Sequence, residues 1–301
     1  MWLLFAFLGP VCWAISVHVD KYLIDRYFPD SDTAVLMLFT ALAGVLVLPF
    51  IWWFEPGVFA ASPQAIAVMI VSGVMYIASM LFYLRAIQSE EASVVAPMFQ
   101  LTTIFTFVLA WAMLGETLNL KTGAGAALIL GGVLFVSLDA DFRLTSVKPP
   151  VVLGMVACTF ILALANVIFK VYAVANDFWT TTFWTFVGEA LFGLVLLMRG
   201  RYRRQCAVLL RTHVGALLGV NGANELINLG GGLGVRYATM LAPVALVSAV
   251  ASTTTLFVLG FGTLLSWLAP RLSREDISRA SLTRKAIAAA VVTAGVVLAG
   301  R

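Results

Sequence analysis

The sequence predicts an all-α integral membrane protein, with ten transmembrane helices in two inverted five-helix repeats. Three observations carry this. First, 61% of the 301 residues are hydrophobic and only 11% are charged, whereas a soluble protein carries roughly 25% charged residues. With a mean hydropathy of +0.99, there is too little polar surface to clothe a water-soluble particle. Second, the apolar residues gather in runs of about twenty, the length a helix needs to cross a hydrocarbon layer. Third, short matches recur in the same order in the two halves.

Ten apolar segments follow one another: Trp2–Tyr22, Thr33–Trp53, Ala65–Arg85, Val94–Leu114, Lys121–Asp139, Val151–Ala173, Trp179–Met198, His213–Tyr237, Ala242–Leu268 and Lys285–Gly300. The first reads as a retained helix, because no positive charge opens it and no A-x-A site precedes a polar start. Pro97 and Pro243 are expected in the first turn of the fourth and ninth helices, where a missing N–H costs little. Trp2, Trp52 and Trp53 read as interfacial anchors. The connections hold the breakers and charges, as in Phe28-Pro29-Asp30, Glu55-Pro56-Gly57, Lys148-Pro149-Pro150 and Arg201-Tyr202-Arg203-Arg204. Short links of this kind suit an antiparallel bundle. The alternating ten-residue strands of an outer-membrane barrel are not seen.

Charge sets the orientation. The odd-numbered connections and their helix ends hold fifteen of the nineteen Lys and Arg residues; Lys121, Lys170, Arg236 and Arg301 are the others. By the positive-inside rule the odd connections face the cytoplasm, leaving both termini outside. This predicts a multi-pass protein of the inner (cytoplasmic) membrane. The Arg199–Arg211 cluster follows a span, so topology and anionic headgroups account for it and no nucleic-acid partner is expected.

The internal matches divide the chain into repeats at 1–147 and 148–301. Ala92-Ser93-Val94-Val95-Ala96-Pro97 answers Ala238-Thr239-Met240-Leu241-Ala242-Pro243 at an offset of 146. Lys21 answers Lys170, and Gly44 answers Gly193, each at an offset of 149. Gly132-Val133-Leu134 answers Gly295-Val296-Val297. Five helices is an odd number, so the halves insert with opposite orientation, which suits a central site exposed alternately to each face. The alternative is an old duplication kept for packing.

The run Phe82-Tyr83-Leu84-Arg85-Ala86, with Ala92–Pro97 and then Leu114-Gly115-Glu116-Thr117-Leu118, resembles the drug/metabolite transporter superfamily, EamA-like branch. The resemblance extends over both halves. It implies ten helices in a five-plus-five arrangement and a transporter of small metabolites, often an exporter. It also implies a cavity lined by helices one, three, four, six, eight and nine. Two features depart from it. Gly262 stands where a gap-free alignment expects a partner of Glu116, with Glu275 further on, and the first helix is unusually charged at Val17-His18-Val19-Asp20-Lys21-Tyr22.

Enzyme signatures are absent: there is no H-E-x-x-H, G-x-S-x-G or G-x-x-x-x-G-K, and Gly230-Gly231-Gly232-Leu233-Gly234 lacks the last glycine of a dinucleotide loop. Cys12, Cys158 and Cys206 lie too far apart to form a CxxC pair, and His18 and His213 cannot build a three-His zinc site. No cofactor, metal or catalytic residue is expected.

Polar groups inside spans are costly, so each is a candidate for function. Asn221, Asn224, Glu225 and Asn228 recur at i, i+3, i+4 and i+7, on one face of the eighth helix. Near the midplane, desolvation penalises the charged form of a lone carboxyl, which suits a proton-coupling group or a counter-charge to a cation. Such a stripe can also simply glue helices together. The glycines that follow imply either a break in the helix or a tight crossing.

Ser72, Tyr76, Ser79 and Tyr83 form a stripe on the third helix, where Ser79 corresponds to Glu225 at the 146 offset. Tyr83 could equally belong to the interfacial belt. Gln100, Thr103 and Thr106, with Ser248 and Ser252 opposite, and Trp13 and Ser16 could complete the pocket. Lys21 and Lys170 would bind anions, close a gate or snorkel to the interface. Asp20, Asp25 and Arg26 favour an ion-pair network around Lys21, so Lys21 and Asp20 are gating candidates. Glu189 is a second proton site or a structural partner.

The function expected is secondary transport of a small polar metabolite, an amino-acid-like zwitterion exported by alternating access with protons as a possible coupling ion. The alternatives are transport of a phosphorylated or lipid-linked intermediate, with Lys21, Lys170 and Arg236 as anion partners, or a non-transporting membrane accessory subunit.

Overall fold

A computed structural model describes residues 1–27, 33–89, 95, 98–137, 148–268 and 278–300. The described residues are helical and contain no strand. The helices are α1 (Trp2–Tyr27), α2 (Thr33–Ala43), α3 (Leu48–Phe54), α4 (Pro63–Ser89), α5 (Leu101–Leu114), α6 (Leu120–Ser137), α7 (Pro149–Ala175), α8 (Phe178–Met198), α9 (Gly200–Thr212), α10 (Gly222–Leu241), α11 (Val244–Ala251), α12 (Thr254–Leu268) and α13 (Arg279–Ala299). By length and composition eight stretches could cross a membrane, or nine if the bent pair α9 and 217–241 counts as one, and the apolar Leu101–Leu114 is shorter. The protein is a multi-pass membrane protein.

Local chemistry explains the helix ends. Asp177 accepts the Thr180 N–H at 2.8 Å and so caps α8, and Pro149 opens α7. Gly115 closes α5 at φ +64°, a left-handed position that glycine adopts without a Cβ penalty. Pro243 immediately precedes α11, as expected, and Pro97 lies outside the described residues.

One expectation is corrected, and one choice left open is decided. The Arg199–Arg211 stretch is no mere connection: it forms α9, bent 109° from the helix that follows. Tyr202, Cys206 and Leu209, spaced i, i+4, i+7, turn its apolar side onto Leu23, Val35 and Leu217. Of the two readings of the glycine run at 230–232, a break or a tight crossing, the crossing holds, since α10 continues through it and Gly231 lies against Cys12. The irregularity lies earlier, in a π-helical segment at Ala216–Asn221 that feeds directly into α10.

The long helices pack pairwise. α1 lies along α10, α4 along α7 and α8, and α6 along α13; α5 also meets α7, and α1 meets α12. Small residues let these helices approach closely, the usual basis of association in lipid. A Cβ on Gly231 would stand 2.8 Å from the Cys12 Cβ, and one on Gly125 would stand 2.7 Å from the Gly295 carbonyl oxygen. At the α4–α8 crossing, Gly73 faces the Thr185 carbonyl and Gly188 faces the Ile70 carbonyl, with no room for a side chain. Leu3 lies against Gly300, so α1 begins where α13 finishes, at one end of the bundle. Leu23, Leu209 and Leu217 meet at the other end, beside α9.

Candidate functional site

α10 carries three polar stations along its length. Glu225 sits in its first turn, Arg236 about 16 Å further on, and its last carbonyl, that of Ala242, another 9 Å or so beyond, at about 1.5 Å per residue.

The first station joins α10 to α1 and α2. Thr40 donates its hydroxyl to Glu225 Oε1 at 2.9 Å, and Asn224 Nδ2 donates to Asp20 Oδ1 at 2.7 Å. Ser16 donates to Asp20 Oδ2 at 3.3 Å. Asn228 lies beside the Glu225 carboxylate, and the charge acting on that carboxylate is that of Asp20. Among the described residues, three buried oxygens here have no hydrogen-bond donor: Glu225 Oε2, Asn224 Oδ1 and Asn221 Oδ1. Of the four residues that share this face, Asn224 thus reaches α1 and Glu225 reaches α2. Asp20 turns to Asn224 and Ser16, while Lys21 is exposed. The side chain of Asp25 lies outside the description.

The second station is an enclosed ion pair. Arg236 Nη2 donates to Glu189 Oε1 at 2.6 Å. Its guanidinium stands 5.0 Å from the Phe186 ring centroid and 5.3 Å from those of Tyr76 and Phe169. Desolvated cation–π contacts of this kind add to the pairing. Arg236, near the end of the eighth apolar segment, is thus paired inside the bundle, with Glu189 as its partner.

The third station locks the helix end. Lys170 Nζ donates to Glu116 Oε1 at 2.5 Å and to the Ala242 carbonyl at 2.8 Å. Glu116 Oε2 accepts the Val244 N–H at 2.9 Å, which caps α11. Glu116 thus finds its partners in the second half without Gly262, which is buried on α12, or Glu275, which lies outside the described residues.

The remaining sequence candidates disperse. Tyr76 belongs to the Arg236 cage. Ser79 is buried and donates to the Tyr76 carbonyl within its own helix. Tyr83 packs edge-on to Phe99, with ring centroids 5.1 Å apart, in an apolar cluster with Met98 and Met155. Trp13 folds against Gly9. Gln100 is buried just before α5, whose Thr103 meets Ser248 at 3.3 Å. Thr40 escaped the sequence reading because a lone threonine in an apolar run is an ordinary packing residue. Both ion pairs escaped it because their partners stand 54 and 47 positions apart.

Residues 1–138 match the model of the EamA-like transporter family. Over those residues the chain is similar to the EamA-like transporter family. A solved crystal structure shares the fold, with a TM-score of 0.64 at 16% identity over 99% of this chain and 96% of that one. A search of curated proteins gave no match. The family matched over residues 1–138 is one of membrane transporters. Within the EamA-like half lie Asp20, Thr40, Tyr76 and Glu116; Lys170, Glu189, Glu225 and Arg236 reach them from the second half.

Proposed function

We propose that the protein is a secondary transporter that moves a small polar metabolite by alternating access, with the Asp20–Asn224–Glu225 station as its binding site. One observation carries this reading: a buried, acceptor-rich cluster with unpartnered oxygens shares a helix with two stations whose charges are neutralised in pairs. The paired stations close the end where α1 begins. The unsatisfied cluster lies toward the opposite, α9-bearing end, which the arginines of α9 assign to the cytoplasm of an inner-membrane protein. The resting state is then closed outside, ready to load from within, as export requires.

Two repeats, 1–147 and 148–301, account for the packing. Exchanging them carries the α1–α10 pair onto the α7–α4 pair, and maps the α6–α13 pair onto itself. Alternating access follows when the Lys170 and Arg236 latches release as Asp20 and Glu225 engage cargo.

An ammonium group is the part of an amino-acid-like zwitterion that suits this station, with asparagine N–H groups left for its carboxylate. Lys170 cannot serve that carboxylate, because it is committed to Glu116 far along α10. For the same reason a phosphorylated or lipid-linked cargo is the weaker reading: Lys170 and Arg236, which would bind its phosphate, each already hold a carboxylate. An accessory subunit would have no use for unpartnered polar atoms in the bundle core. Proton coupling through Glu225 completes the proposal.

The test compares metabolites inside and outside cells lacking the protein with those in cells making wild type or Glu225→Gln. A compound shifted across the membrane by wild type and not by Glu225→Gln supports the reading. No shift despite confirmed insertion overturns it, and pH-driven transport unchanged in Glu225→Gln removes proton coupling.

A further inference from the structure

We infer that the station between α1, α2 and α10 is a binding site for a small monovalent cation, held by Glu225 Oε2, Asn221 Oδ1 and Asn224 Oδ1. The inference extends the transport reading at the same station, yet it stands on oxygen geometry and is testable without any substrate.

Among the described residues, three oxygens of this station have no donor. Asn224 is 1%, Asn221 2% and Glu225 7% exposed, and each leaves one acceptor oxygen without a donor. A buried acceptor left alone costs about 1–3 kcal/mol, so three in one place call for a shared partner. Helical spacing of i, i+3 and i+4 turns these residues to one face, and Asn224 and Thr40 bind that face to α1 and α2. Asn228 lies one turn beyond Glu225 on the same face.

The chemistry of the ligands selects the guest. All are hard oxygens, which suit alkali and ammonium ions over the transition metals that seek imidazole or thiolate. Among the described residues no group of three His, Cys, Asp or Glu side chains could hold a metal, which removes a site built from those ligands. His18, two residues before Asp20, has its Nε2 at 3.1 Å from the Val258 carbonyl.

The open ligands, one carboxylate oxygen and two amide oxygens, suit a guest of low charge. Asp20 already has an Asn224 N–H on Oδ1 and a Ser16 hydroxyl on Oδ2, which spread its charge over two donors. Among the described residues Glu225 then offers an open carboxylate oxygen, with Asn228 beside the same carboxylate and two open amide oxygens on the neighbouring asparagines. Calcium takes six to eight oxygens, and magnesium keeps its waters and demands octahedral geometry. A site of this size and charge fits sodium, potassium or a primary ammonium group. The π-helical turn at Ala216–Asn221 sets Asn221 at the irregular start of α10, where its carboxamide can adjust to the guest.

Two sources share this chemistry: a free alkali ion that accompanies transport, and the ammonium head of the cargo. The experiment separates them. Purified full-length protein in detergent is heated in sodium, potassium, ammonium and methylammonium chloride, with N-methyl-D-glucamine chloride at equal ionic strength as the reference. Wild type is expected to show a saturable rise in Tm with at least one small cation. Glu225→Gln and the milder Asn221→Ser should each raise the half-saturating concentration about tenfold or more. A rise with sodium or potassium assigns a free ion, and a rise confined to ammonium and methylammonium assigns the cargo's head group. Equal Tm in every salt overturns the site, as does a rise that both variants retain or one that only calcium or magnesium produces. A cation-dependent rise in a protein that moves no metabolite would leave the site standing and refute the transport reading alone.

Discussion

Arg236 and Glu189 meet at 2.6 Å under the rings of Tyr76, Phe169 and Phe186, so that four helices close around one ion pair. Neither group can be withdrawn singly without stranding the other's charge in a low-dielectric interior. Arg236→Met or Glu189→Gln alone should destabilise the protein by about 3–5 kcal/mol, whereas the double variant should cost clearly less than the sum. Thermal unfolding of the four proteins in one detergent gives the cycle; strict additivity would mean that the pair is not coupled.

Lys170 and Glu116 are unequal partners. Without Lys170, the Glu116 carboxylate keeps the Val244 N–H at the positive end of α11. Without Glu116, the Lys170 ammonium keeps only the Ala242 carbonyl. Glu116→Ala should therefore be more destabilising than Lys170→Met, by about 1–3 kcal/mol. The reverse order of melting temperatures would refute this account of the latch.

Glycine substitutions should divide by contact. Gly73→Ala and Gly188→Ala push a methyl into the facing helix backbone at the α4–α8 crossing, and overpacking of this kind costs about 1–3 kcal/mol. Gly230 has open space at its Cβ, so Gly230→Ala should gain roughly 0.5–1 kcal/mol from helix propensity. Denaturation midpoints of the three variants against wild type test the division.

Orientation can be read by labelling. In a background with Cys12, Cys158 and Cys206 replaced, Asn119→Cys lies in the exposed link between α5 and α6, near the latched end. Arg203→Cys lies on α9. A membrane-impermeant maleimide added to intact cells should label the first and reach the second only after lysis. The opposite pattern would invert the topology and turn the proposed export into uptake.

Much of the site was legible before folding. The four-residue face of α10 needs only helical periodicity, and its costly polar groups stand out against an apolar run. The charge at Asp20 marked α1 for the same reason. Legibility failed where a side chain's role depends on its neighbour. Arg236 lies close to the end of its segment, where a snorkelling arginine is ordinary, and nothing local shows that Glu189 awaits it. α9 was read as a connection because its arginines mask the spacing of Tyr202, Cys206 and Leu209. The glycine run was ambiguous between a break and a tight crossing, since both need a missing side chain; the nearness of Cys12 decides for the crossing.

The sequence by itself determined that the chain spans a membrane, where its apolar segments lie, and which face of α10 bears polar groups, because hydrophobic transfer and helical period act along a single stretch of chain. Only the tertiary structure decided which charges are paired and which oxygens are left open. Those outcomes depend on which helices touch and at what depth, and close crossings at Gly73, Gly125, Gly188 and Gly231 settle that through three-dimensional packing.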